Sequence, residues 1–333
     1  MHYDIFNGDA DGIISLLQLR LANPIESILI TGIKRDIELV KQVPLDKADS
    51  LTILDISMAK NSVALEKVLD GGADVFYADH HQSGEIPKYK NLNAHIDLNA
   101  DTCTALIIDH LLAGQYRLWA ITAAYGDNMI TKADALSGSS GLSREESEQL
   151  KELGTLINYN GYGANIEELH YHPADLYSQL KQYRSPFQAI TDKNSPYHKL
   201  KQAFQQDMRQ ALMTDNAFSG KEFTPQPSYQ SHCLRLYKLK QGVASRRISG
   251  VFGNMLANES SEQAHAVLTE NEDSSYTVSL RAPLNNKYGA SEVCSQFVSG
   301  GGREAAAGIN VLAKSEVEKL INAIEAKWGK LTS

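Results

Sequence analysis

Three short apolar runs near the start of the chain are each followed, within three residues, by an aspartate. Residues 3–6 lead to Asp9, 51–54 to Asp55 and 75–77 to Asp79. Between and around them lie helical patterns at 13–21, 34–42 and 61–69, and further strand-like runs at 27–31 and 95–97. Strands separated by helices of this length predict βαβ units and a mainly parallel sheet. In such sheets ligands bind beyond the carboxyl ends of the strands. Acids at strand ends are therefore candidates for chemistry.

The first acidic cluster is Asn7-Gly8-Asp9-Ala10-Asp11-Gly12, a turn that opens a helix. Two alternate aspartates there can aim at one point, although an Asp-rich turn before a helix also serves as an ordinary N-cap. Asp55 ends the next run. The third gives Tyr77-Ala78-Asp79-His80-His81, whose adjacent imidazoles point in different directions on extended backbone. Asp127, in Tyr125-Gly126-Asp127-Asn128, follows an apolar helical pattern over 104–125. Taken together, these carboxylates would repel one another unless cations offset them. Mixed carboxylate and imidazole ligands suit Mn²⁺, with Co²⁺, Zn²⁺ or Mg²⁺ as alternatives. Two such ions about 3.5–4 Å apart can activate a water.

The later part of the chain divides by composition. Residues 137–143 read as a Ser/Gly loop, and 143–216 as polar helices broken at Pro173, Pro186 and Pro196. The stretch 221–229, with Pro225 and Pro227, is the expected domain boundary. Strands are expected at 233–237, 264–269, 276–281 and 309–312, and helices at 245–257, 291–298 and 315–328. The organisation expected is thus a catalytic domain over 1–135, a helical connector over 136–225 and a smaller α/β domain over 226–333. The glycine-rich string 299–308 lies in the last of these. Its Gly300, Gly301 and Gly302 let backbone N–H groups approach an anion.

Bulk properties narrow the function. The net charge of −8 favours short phosphorylated substrates over long duplexes, which need a basic face. No apolar run reaches 18 residues, so no membrane partner is expected. The N-terminus reads as a strand, without a leader pattern. Cys103, Cys233 and Cys294 are widely spaced and odd in number, which points to small core residues in a reducing cytoplasm.

The string from Asn7 to Gly12, then Asp55, Asp79-His80-His81 and Asp127, resembles the four motifs of the DHH phosphoesterase superfamily. Ser279-Leu280-Arg281 and the glycine string resemble the DHH-associated C-terminal domain, whose loop is normally GGG-His-x-x-AAG. The resemblance covers nearly all of 1–130 and 230–312. It implies a parallel-sheet metal-binding domain and a smaller substrate-binding domain, with an active-site cleft between them. It implies Asp9 and Asp55 as ligands of one metal, and Asp11, Asp55, His80 and Asp127 as ligands of the other, with Asp55 bridging. His81 would face the scissile phosphate, and Asp79 would orient the histidines. Two positions depart from the family pattern. Asn7 stands where the family has histidine, so any coordination there would use an amide oxygen. Arg303 stands where the loop has histidine, and offers a bidentate phosphate donor instead.

Arg281 and Arg303 are accordingly expected to bind substrate, with Arg246 and Arg247 as further positive charge. The connector tyrosines (Tyr159, Tyr162, Tyr171, Tyr177, Tyr183) are expected to pack helices rather than stack bases, and His170 and His172 are not expected to bind metal. The preferred activity is manganese-dependent hydrolysis of phosphodiester bonds in short oligonucleotides or dinucleotides. A pyrophosphatase or polyphosphatase, and a catalytically weakened nucleotide-binding protein, are the alternatives. Expected partners are a small phosphorylated substrate and no membrane, with a homodimer left open.

Overall fold

The computed structural model describes residues 1–99, 101–212 and 226–329. Five parallel strands make the first sheet: β1 (His2–Phe6), β2 (Ile28–Ile30), β3 (Ser50–Leu54), β4 (Asp74–Asp79) and β5 (Leu92–Ile96). Their order is β2-β1-β3-β4-β5. Register aligns Tyr3, Leu51 and Val75 in one row across β1, β3 and β4, and Ile5, Ile53 and Tyr77 in another. Because side chains alternate along a strand, these residues share one face. That face is the core, closed by Leu39, Val40, Leu65 and Leu69. The chain leaves β1 toward β2 on one side, and β3 lies on the other. The order of strands therefore reverses at β1, which opens a crevice between the carboxyl ends of β1 and β3.

Helices complete this part: α1 (Ala10–Ala22), α2 (Met58–Asp70), α3 (Thr104–Leu111), α4 (Arg117–Gly126), α5 (Ile130–Ser139), α6 (Arg144–Asn160), α7 (Pro173–Leu180), α8 (Pro186–Thr191) and α9 (Pro196–Leu212). The chain packs as two compact units, Met1–Ala203 and Phe204–Ser333. Helices α6 to α8, within the segment set apart as a connector, pack against α1 and α4 in the first unit. Pro173, Pro186 and Pro196 begin α7, α8 and α9, where a missing N–H costs nothing. Of the connector tyrosines, Tyr159 and Tyr177 are buried, the ring of Tyr177 lying 5.8 Å from that of Phe6 in β1, while Tyr162, Tyr171 and Tyr183 are half-buried. His170 bonds the Tyr159 hydroxyl, and His172 caps α7.

The second unit holds β6 (Tyr229–Gln230), β7 (Leu234–Leu239), α10 (Val243–Glu259), β8 (Ala264–Glu270), β9 (Tyr276–Arg281), α11 (Ala290–Cys294), β10 (Gly300–Gly302), β11 (Ala306–Leu312) and α12 (Val317–Trp328). Its six-stranded sheet runs β10-β11-β9-β8-β7-β6. Only β7 and β8 pair in parallel. Leu234, Leu236, Ala266, Leu268, Val278, Leu280 and Ile309 form its core with Leu320 and Ile324 of α12.

Several local expectations are corrected. The helix expected over 34–42 is a single 3₁₀ turn, Val40–Gln42. One local and one tertiary bond claim the start of that segment: the Asp36 carboxylate accepts from the Ile33 N–H at 3.0 Å, and the Lys34 N–H donates to the distant Gly161 carbonyl at 2.9 Å. The pattern over 104–125 splits into α3 and α4, because Ala113 and Gly114 take left-handed backbone (φ 50° and 78°). The Ser/Gly loop at 137–143 starts as helix, since α5 runs through Ser139. The glycine string is no open loop: Gly300–Gly302 is an edge strand paired with β11. Residues 213–225, and with them part of the expected 221–229 boundary, lie outside the described residues. Among the described residues, no helix is long and apolar enough to cross a membrane.

Candidate metal centre

Strand ends and helix starts converge at the β1/β3 crevice. Beyond β1, Asp9 is the N-cap of α1, and its Oδ1 accepts from the Asp11 and Gly12 N–H groups at 3.1 Å. The close-packed turn needs its glycines. A Cβ on Gly8 would lie 1.8 Å from the Gly32 carbonyl, so any side chain there would push the two loops apart. Asp11 lies in the first turn of α1 and meets the start of α3. The Thr104 and Ala105 N–H groups donate to its two oxygens at 2.8 and 2.7 Å. A carboxylate has about four acceptor positions, so Asp11 retains lone pairs for a cation.

Asp55 follows β3 in left-handed backbone, φ 58°. That conformation costs an ordinary residue about 1–2 kcal/mol, and Asp is among the few that visit it. The Thr104 hydroxyl donates to Asp55 Oδ1 at 3.2 Å. At the end of β4, His80 Nδ1 donates to the Thr102 carbonyl at 3.0 Å. Its Nε2 is thereby left as a lone-pair donor, 3.4 Å from Asp55 Oδ1 and 3.7 Å from Asp11 Oδ2. One ligating atom from each of Asp55, His80 and His81 lies within 4.8 Å of the other two. His81 Nδ1 bonds Asp79 Oδ1 at 2.7 Å and lies 3.8 Å from Asp55 Oδ1. Asp79 is fully buried, and its Oδ2 has no hydrogen-bond partner among the described residues. Asp127 caps α4 and brings Oδ1 to 3.8 Å from the Lys34 ammonium.

Lys34 was not anticipated from the sequence. Its Nζ pairs with Asp9 Oδ2 and donates to Asn158 Oδ1 of α6 at 3.1 Å. The nitrogen also stands 5.6 Å from the centre of the Tyr162 ring. Asn7 supports this lysine rather than pointing an oxygen at an ion. Its Nδ2 donates to the Lys34 carbonyl at 3.2 Å, and its Oδ1 accepts from the Asp9 N–H at 3.1 Å. A signal did exist: a neutral amide beside Asp9 leaves that carboxylate to be balanced by something else. Lys34 lay in a segment read as helix, which hid it.

The electrostatics divide the cluster. Burial pushes the Asp55 carboxyl well above its usual range, and the charges of Asp11, Asp9, Asp79 and Asp127 push it further. Burial also raises Asp11; His80 opposes this, while Asp127 and Asp9 add repulsion. Burial acts on Asp9 as well, but Lys34 outweighs it and holds that carboxyl far below the usual range. Lys34 is desolvated, yet Asp9, Tyr162 and Asp127 hold its ammonium firmly charged. Burial and the charges of Asp11 and Asp127 push the Cys103 thiol well up, so it is no nucleophile here.

Residues 233–330 match the family model of the DHHA1 domain. Three solved structures share the fold. The manganese-bound exonuclease RecJ is 15% identical at a TM-score of 0.52, over 99% of this chain and 90% of that one. The manganese complex of RecJ from Thermus thermophilus is 14% identical at a TM-score of 0.56. This chain is covered over 98%, but spans only about half of that protein (52%). A pGpG-specific phosphodiesterase, PggH from Vibrio cholerae, is 12% identical at a TM-score of 0.53, over 99% of both chains. Residues 233–330 thus form a DHHA1 domain, and the chain as a whole shares the fold of these structures. No curated protein matches it at the level of sequence.

The two metal positions implied by the DHH pattern fare differently. Asp11, Asp55 and His80 present carboxylate and imidazole atoms to one space, and their buried charge exceeds what neighbouring donors offset. That set fits a divalent cation. The set Asn7, Asp9 and Asp55 does not. The Asn7 amide is engaged by backbone on both sides, and Asp9 Oδ2 already holds an ammonium.

In the DHHA1 unit, Gly300 and Gly302 are demanded by packing. A Cβ on Gly300 would meet the Cys294 carbonyl at 1.8 Å, and Gly302 has φ 144° and would meet Ala307 Cα at 2.5 Å. Gly301 has open space at its Cβ position, so packing does not explain it. The Arg303 N–H bonds the Ala306 carbonyl at 2.9 Å, and its side chain is exposed. Arg281 donates to Asn254, to Ser279 Oγ at 3.0 Å and to the Gly250 carbonyl at 3.0 Å. Arg247 makes a bidentate pair with Asp207 at 2.6 and 2.8 Å. Both guanidiniums thus have structural partners within the second unit.

Proposed function

We propose that the chain is a metal-dependent phosphodiesterase acting on short oligonucleotides or linear dinucleotides. The observation that carries this reading is the meeting of Asp11, Asp55 and His80 at the β1/β3 crevice, with the His81–Asp79 pair beside them. Asp11, Asp55 and His80, with Asp127, would hold a divalent cation, for which Mn²⁺ is the best match and Mg²⁺ or Co²⁺ are alternatives. When bound, such an ion supplies Lewis-acid polarisation and a water of lowered pKa.

The remaining work falls to the chain's own groups. The α3 N–H groups hold the Asp11 carboxylate in place, and the Thr104 hydroxyl does the same for Asp55. The bond to Thr102 fixes which ring nitrogen of His80 faces the acids. Asp79 holds His81 through Nδ1, so the opposite nitrogen is presented outward on a ring that is about one-third exposed (30%). We assign it to a phosphoryl oxygen of the substrate. The open backbone at Gly301, with Arg303, is the proposed phosphate contact of the DHHA1 unit. The acidic net charge favours a short substrate, and the relatives act in name on nucleic acid and on pGpG.

The test is hydrolysis by the full chain with Mn²⁺ of a panel: di- to pentaribonucleotides, a cyclic dinucleotide, pyrophosphate and bis-p-nitrophenyl phosphate. Release of mononucleotides, with no orthophosphate from pyrophosphate, is the expected result. Orthophosphate release would select the pyrophosphatase reading. Silence with tight nucleotide retention would select a binding protein with weakened catalysis, a reading that the Asn7–Lys34 arrangement also supports.

A further inference from the structure

We infer that this centre holds a single divalent cation, and that the ammonium of Lys34 takes the place of a second one. The inference rests on the metal-dependent reading above and adds its stoichiometry. Lys34 is positioned as a ligand-bound ion would be, by groups from four directions. Asp9 Oδ2 pairs with it, Asn158 Oδ1 accepts from it at 3.1 Å, and Asp127 Oδ1 stands 3.8 Å away. The Tyr162 ring closes the remaining side at 5.6 Å.

The backbone locks the lysine there. Its N–H donates to Gly161, its carbonyl accepts from Asn7, and the loop carrying it packs against Gly8 too closely for any side chain. Asn7 therefore serves the lysine, where a histidine would have served a metal. The acid that would bind a second ion is already largely engaged, and both of its oxygens are in use. Asp9 Oδ1 caps α1 through two N–H groups, and Oδ2 is held by the ammonium. A divalent ion placed on Asp9 would meet a fixed like charge at ion-pair distance, in a site shielded from water. Among the described residues, Asp11, Asp55 and His80 face no such cation. Asn7 and Lys34 are thus one coupled arrangement: a fixed, monovalent charge stands where an exchangeable, divalent one would bind. The ammonium can still attract a phosphate, but it cannot bridge to a metal-bound water.

The decisive measurement is manganese stoichiometry of the chelator-stripped full chain, by titration calorimetry and elemental analysis, with electron paramagnetic resonance of the bound ion. One equivalent with an isolated six-line spectrum is expected. Two equivalents with an exchange-coupled spectrum would overturn the inference while leaving a metal-dependent hydrolase intact. No bound manganese would overturn both. The double variant Asn7→His/Lys34→Ala should rise from one equivalent to two and acquire the coupled signal. If it folds by circular dichroism and still binds one, Lys34 is not what excludes the second ion. If it does not fold, Asn7→His alone decides: it should remain at one equivalent, and two would refute the role of Lys34.

Discussion

The two halves of the acidic cluster solve the same electrostatic problem in opposite ways. Around Asp9 the chain supplies its own counter-charge, and the carboxyl sits far below its ordinary range because Lys34 overcomes burial. Around Asp11 and Asp55 no Lys or Arg does so among the described residues; burial pushes both carboxyls up, His80 only partly opposes this at Asp11, and neighbouring aspartates add repulsion. A buried carboxylate persists when something pays for its desolvation. The first half is therefore a self-balanced ion pair, and the second is a candidate cation site. The difference teaches that acids of one motif can be balanced by different means.

The largest effect expected is at the second half. Asp55→Asn keeps a side chain that tolerates left-handed backbone but removes the charge. It should cut turnover about a thousandfold, the equivalent of several kcal/mol of lost Lewis-acid stabilisation. It should also raise the melting temperature of the metal-free protein, because a strained, self-repelling charge is gone. Unchanged kcat, or a less stable apo form, would count against the comparison.

At the first half the sign reverses. Lys34→Ala leaves Asp9 buried without its partner and should lower stability by about 3 kcal/mol in chelator, read from denaturant midpoints. Added Mn²⁺ should restore part of that loss. A variant as stable as the parent would mean that the pair does not balance the cluster.

Asp79→Asn probes the boundary between the halves. It removes the carboxylate that orients His81 and should cost about 10- to 100-fold in kcat/KM, with a smaller change in manganese affinity. Equal losses in both would make Asp79 part of the ion's own shell.

The smallest effect concerns another self-balanced acid. Asp4 is fully buried, and its carboxyl is lowered to about 2. Burial opposes the shift, while the bonds from His2, Arg20 and Ser27 outweigh it. Because the folded value lies below the unfolded one, this acid contributes stability above pH 3.8 that is lost as pH falls toward 2. The contribution is about 2 kcal/mol at neutral pH. Asp4→Asn should flatten the stability profile across that acid window, and an unchanged profile would refute the assignment.

Much of the fold could be read in advance. Alternation of apolar runs and helical patterns identified the strands β1 to β4 and the helices α1 and α2, because burial on both faces of a parallel sheet demands short apolar runs. Those same runs placed Asp9, Asp55 and Asp79 at strand ends. The helix expected over 34–42 failed because the bonds that unmake it come from Gly161, far along the chain. The edge strand Gly300–Gly302 was missed because glycines carry no strand pattern, and only pairing with Ala307 to Ile309 defines it.

Periodicity and residue type, which are local properties, determined the parallel sheet, the acids beyond its strands and the histidine pair. Which acids would be neutralised from within was decided only in three dimensions. That outcome depends on Lys34 and Asn7, whose loops meet where Gly8 packs on Gly32, and on Asn158 and Tyr162, which lie more than a hundred residues further along the chain. Charge balance is a sum over space, and the order of residues along a chain does not state it.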